Sequence, residues 1–167
     1  MSLIDLHCDT AFLMSVMQEP IELRKNNLCV DLEKMKRADS MAQFFASFIH
    51  MKRFGGDFDK AYEAALAMLR KTKEAIEKNS DMIRLARNYD ELMKNYNNGL
   101  MSGVLTIEEG GIIDNRMERL EELYKEGTDE AAIEAGKLLV KEILFNTDDR
   151  TGLIAKCEKG GVLNEIG

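Results

Sequence analysis

Apolar positions along the chain fall into short runs with two different periods. The first, "SLIDLHCDTAF", reads as a short buried strand running into a loop. Residues 13 to 40 are mixed, and Pro20 and "RKNN" mark irregular chain there. From Ser40 to Met51 no charge interrupts "SMAQFFASFIHM", whose aromatic and β-branched content predicts a second buried strand at roughly 42 to 49, with a helix as the competing reading of so short a run. From Asp59 to Lys78, Tyr62, Ala65, Leu66, Leu69 and Ile76 recur at helical spacing with charges opposite, which predicts an amphipathic helix. A shorter helix follows in "NYDELMKNYNNG", with Asn88 or Asp90 as cap and "NNG" as stop. "LMSGVLTIEEGG" returns to strand character and ends at a double glycine. "RMERLEELYKEG" predicts a helix with Met117, Leu120, Leu123 and Tyr124 inward and Gly127 as its stop. Thr128 can cap a last helix, "DEAAIEAGKLLVKEILF", before a turn-rich end with room for one short strand. Strands alternating with amphipathic helices imply βαβ units and a parallel sheet.

Composition narrows this picture. The 167 residues suffice for one domain with a core, and 45% hydrophobic with 32% charged is ordinary for a soluble globular chain. A net charge of −7 argues against nucleic acid or an acidic membrane surface as partner. No apolar run approaches the roughly 18 residues of a membrane span, and Asp5, His7 and Asp9 break up any leader-like segment at the start. Cys8, Cys29 and Cys157 show no paired spacing, which suggests free thiols in a reducing cytoplasm.

The candidate chemistry sits at strand ends. On a strand, positions i and i+2 share a face, so His7 and Asp9 point the same way and Cys8 the other. Imidazole and carboxylate are zinc ligands. In parallel α/β folds sites gather at the C-terminal ends of strands, where His7, Asp9, Glu108 and Glu109 all fall. Each motif alone is weak. A lone His-x-Asp is more often incidental, and "EEGG" alone suits a solvated turn. His50 reads as a strand-end or surface residue, Cys8 as a small core residue, and the eleven methionines as core filler.

Together, "DLHCDTA", "DLEKMKRADSMAQFFASFI" and "GVLTIEEGGIIDNRMERLEELYKEG" resemble, in order and separation, the N-terminal part of the membrane dipeptidase (renal dipeptidase) family of zinc peptidases, over about residues 3 to 127. The resemblance implies a (β/α)8, or TIM, barrel of the metal-dependent hydrolase type with two zinc ions, hydrolysing dipeptides, often with a D-residue on the C-terminal side. It implies that His7 and Asp9 bind one zinc, that Glu109 bridges both, and that a bridging water acidified by the metals attacks the amide; it gives Glu108 no role. The chain departs from the family in having no histidine after His50 and in its tail, residues 128 to 167, which does not align. It is also short of the ~250 residues of a complete barrel. The expectation is therefore a helix-rich α/β fold: a partial (β/α) barrel over 1–127 and a helical tail over 128–167 packing on it. At most one full zinc site is expected, with a dipeptide as substrate if the chain is active, and a homo-oligomer closing the open sheet. The alternative is a non-catalytic partial-barrel scaffold that oligomerises. A further reading, with helices in place of the strands, makes it a helical interaction protein.

Overall fold

A computed structural model describes residues 3–127, and the expected helical tail lies outside the described residues. Four parallel strands carry the fold: β1 (Leu3–Cys8), β2 (Ser40–Phe48), β3 (Ile83–Leu85) and β4 (Met101–Glu108). They are ordered β1-β2-β4-β3, so β4 lies between its predecessors. The α/β class stands, and the helix-only reading does not, because β2 and β4 pair in continuous register from Ala42↔Ser102 to Phe48↔Glu108. The sheet is unclosed among the described residues, as expected of a partial barrel.

Five helices connect and cover the strands: α1 (Thr10–Val16), α2 (Leu32–Arg37), α3 (Phe58–Lys78), α4 (Tyr89–Asn97) and α5 (Met117–Gly127). Three begin where a side chain caps the free amides of the first turn. Asp31 accepts from Lys34 N at 2.7 Å, Asp57 from Lys60 N at 3.0 Å and Asn88 from Glu91 N at 2.9 Å. Between Asn88 and Asp90, the cap of α4 is Asn88. The apolar stripe of α3 is buried as its spacing predicts, with Ala61 and Ala65 fully enclosed beside Tyr62, Leu66, Leu69 and Ile76. Its contact with the sheet is close. A Cβ added at Gly103 of β4 would lie 2.7 Å from Ile76 Cδ1 and 3.3 Å from Phe45 Cε2, so any larger residue there forces the Ile76 side chain to shift.

Several expectations need correction. The strand "SLIDLHC" is not buried: Leu3, Ile4 and Leu6 are exposed, Leu6 by 71%, and only Cys8 is enclosed. Among the described residues β1 has a single neighbour, β2, and its irregular register leaves one flank to solvent. Residues 13 to 40 are not irregular throughout, since α1 and α2 form there and bury Ala11, Met14, Leu32 and Met35. β3 falls where no strand is expected. It has three residues, and it exists because Ile83 buries its side chain against the core and pairs with Met101.

Arg119 ties α5 to the rest. Although buried, its guanidinium donates to Ile112 O at 2.9 Å and Phe58 O at 3.3 Å, pairs with Asp59, and lies 4.7 Å from the centroid of the Tyr62 ring. Tyr62 Oη donates to Glu122 Oε2 at 2.8 Å. Burial and then this carboxylate push the phenol above its ordinary range. Arg119 thereby pins the single turn of 3-10 helix at Gly110–Ile113, which leads directly out of β4.

Candidate active site

Parallel pairing puts the C-terminal ends of β1, β2 and β4 on one rim. His7 stands there with both ring nitrogens engaged. Its Nδ1 lies 3.0 Å from Glu108 Oε1, and its Nε2 lies 3.5 Å from Asp9 Oδ1. The first contact reaches across β2, since β1 and β4 are not neighbours. Strands two places apart are separated by roughly 10 Å in a flat sheet, and the two long side chains close that gap over β2. His7 N also donates to Asp5 Oδ1 at 3.1 Å, which fixes the backbone at the end of β1. All three side chains are about half exposed, at 50% for His7, 59% for Asp9 and 44% for Glu108.

Glu109 behaves differently. It is the first residue beyond β4, its φ of 125° lies in a region that L-residues rarely adopt, and its carboxylate turns back to accept from Gly111 N at 2.9 Å. Among the described residues, no three His, Cys, Asp or Glu side chains come together closely enough to enclose a metal ion. Of the expected set, His7 and Asp9 are brought together and Glu109 is not. Glu108, to which the resemblance assigns no role, is the carboxylate at the histidine. Its contact is not legible in the sequence, since it depends on the order of the strands in the sheet.

The spacing of the pair nonetheless suits zinc. Two ligands about 2.0–2.1 Å from a tetrahedral zinc lie about 3.3 Å apart, close to the 3.5 Å between His7 Nε2 and Asp9 Oδ1. A carboxylate on the other ring nitrogen is the arrangement that orients metal-binding histidines. Beside the pair opens a cleft of about 560 Å³, lined by His7, Asp9, Thr10, Leu13, Leu28 and Cys29 among others, within the range of small-ligand sites. Cys8 shares its wall, but burial pushes this thiol up, so it stays protonated near neutrality and is a poor nucleophile. His50, just past β2, stands exposed with its ring 6.0 Å from that of Phe48, as expected of a strand-end residue.

The parallel α/β sheet, unclosed among the described residues and with histidine and carboxylates on its C-terminal rim, defines the fold class: a barrel-type α/β scaffold. Within it, the chain belongs to the membrane dipeptidase family (peptidase family M19), which matches residues 1–134. Two solved structures are similar. One is dipeptidase AC, a metallopeptidase of family M19, with a TM-score of 0.67 at 20% identity over 77% of this chain and 41% of that one. The other is a metallopeptidase from Rhodobacter sphaeroides bound to a phosphinate mimic of the dipeptide L-Ala-D-Ala, with a TM-score of 0.65 at 18% identity over 77% of this chain and 44% of that one. The chain thus spans less than half the length of either relative, and at these identities the likeness speaks for the fold. No curated protein matches the chain. Among the described residues no helix is long and apolar enough to cross a membrane.

Proposed function

We propose that the chain is a zinc-dependent, dipeptidase-like hydrolase unit that takes a dipeptide into the cleft beside His7. The observation that carries this reading is the His7 ring held between Glu108 and Asp9, on the rim of a chain that belongs to a dipeptidase family. With Nδ1–H donating to Glu108, the Nε2 lone pair faces the same point as Asp9 Oδ1. Glu109 would complete a three-residue set by releasing Gly111 N and swinging inward. Zinc bound there would polarise the amide carbonyl and acidify a water. His7, Asp9 and Glu109 are the proposed ligands, for one zinc only, since no histidine follows His50. The free, unpaired Cys8 and Cys29 fit a reducing cytoplasm.

The test is zinc binding and hydrolysis of a panel of L,L- and L,D-dipeptides by the full chain, beside His7→Ala and Glu109→Ala. Turnover and zinc content should both fall by at least about tenfold in each variant. A second reading, a non-catalytic partial barrel that associates with copies of itself, is favoured by the exposed flank of β1. Unchanged zinc content in both variants, with no turnover in the parent, would sink the first reading and leave the second.

A further inference from the structure

A second cavity, separate from the cleft at His7, borders the C-terminal end of β2 at Phe48, Ile49 and His50. It has a volume of about 270 Å³, opens between α1, α3 and the 3-10 turn at Met51–Phe54, and shares no lining residue with the cleft at His7. Its floor is hydrocarbon: Phe12 and Val16 of α1, Phe54 of the turn, and Ala64, Ala67 and Met68 of α3. Its polar lining is almost entirely basic, with Arg53, Lys71 and the neighbouring His50. No aspartate or glutamate among the described residues lines it, in a chain whose net charge is −7.

Both cations are held in place. The Arg53 guanidinium lies over the Phe12 ring, 5.6 Å from its centroid, and has no hydrogen-bond partner among the described residues. Lys71 Nζ donates to the carbonyl of Met14, which anchors the ammonium at the end of α1. Among the described residues neither has a carboxylate partner. Elsewhere on the described surface, acidic side chains answer arginine, as Asp81 does for Arg24 and Asp59 for Arg116. Two immobilised cations without counter-charge over an apolar floor are complementary to one kind of small molecule.

We propose that this cavity binds a small amphiphilic monocarboxylate. The carboxylate sits between Arg53 and Lys71, where the guanidinium fork can donate twice, and a short hydrocarbon body covers Phe12, Ala67 and Met68. The volume falls below the usual range for drug-sized ligands, so the body is on the order of six carbons. The site stands apart from the hydrolase reading, since it uses none of the proposed zinc ligands and needs no metal.

Sodium hexanoate, 1-hexanol and inorganic phosphate serve as probes, titrated into the zinc-free full chain under amide-resolved NMR. Hexanoate should shift the amides of residues 12–16, 50–54 and 64–71 in a saturable way. Hexanol and phosphate should each bind at least about tenfold more weakly, since each lacks one half of the complement. Arg53→Gln should weaken hexanoate about tenfold, and Ala67→Phe, at an exposed position of α3, should fill the cavity and abolish the shifts while far-UV circular dichroism stays that of the parent. The proposal is overturned if hexanoate leaves those amides unmoved, if hexanol or phosphate matches it, or if a folded Ala67→Phe variant binds it as well as the parent.

Discussion

At the scale of single residues, Glu109 combines backbone strain with a candidate role at the rim. A non-glycine residue at φ 125° costs on the order of 1–3 kcal/mol, offset here by the bond its carboxylate receives from Gly111 N. Glycine removes both the strain and the bond, whereas alanine removes the bond alone. Urea denaturation should therefore find Glu109→Gly more stable than Glu109→Ala by about 1–2 kcal/mol. Asp31 gives a prediction in pH. Burial acts to raise its carboxyl, but bonds from Lys34 and Asn26 outweigh it and hold the group below the ordinary carboxylate range. A group depressed on folding contributes in full above its unfolded pKa and loses that contribution as pH falls through the folded one. Melting temperatures of the parent should thus fall as the pH drops below about 4, more steeply than those of Asp31→Asn, which has no carboxylate there to protonate.

At the scale of elements, the seam between α3 and β4 is the tightest point of the core. Gly103→Ala drives a methyl group to 2.7 Å from Ile76 Cδ1, and refolding around it should cost about 1–3 kcal/mol in chemical denaturation. Isoleucine 76 shortened to valine in the same chain should recover part of that loss. Such seams mark what a sequence can and cannot tell. The stripe of α3 and the end of β4 at its two glutamates are local facts legible from spacing and residue type, and spacing narrows the cap of α4 to Asn88 or Asp90. β3 was not, because three residues carry no period and Ile83 becomes a strand residue only once Met101 lies beside it. The same holds for α1, whose "TAFLMSV" lacks a polar face to give it away. His7 and Asp9 could be named as a pair from their i, i+2 spacing. The meeting of His7 with Glu108 depends on strands two places apart in the sheet, so no local pattern announces it.

At the scale of the whole molecule, the described sheet has open flanks. β1 leaves Leu3, Ile4 and Leu6 exposed, and past Leu85, among the described residues, β4 runs on with only β2 paired to it. Parallel sheets are normally covered on both faces, and an exposed apolar edge strand invites further pairing. This supports the proposed self-association, and Leu6→Lys puts a charge on that flank, where it should shift the chain toward monomer in light scattering with little change in melting temperature. An unaltered oligomer in that variant would place the contact elsewhere.

The strand order also dictates how the chain can be assembled during synthesis. β4 emerges from the ribosome last of the four, yet it belongs between β2 and β3. Until Met101–Glu108 has been made, Ile83–Leu85 has no strand to bind, and β2 offers a vacant edge. The nascent chain must therefore wait through α3, β3 and α4 with its sheet half built. Arrival of β4 closes both gaps at once, so that folding of the whole unit hinges on eight residues near its end.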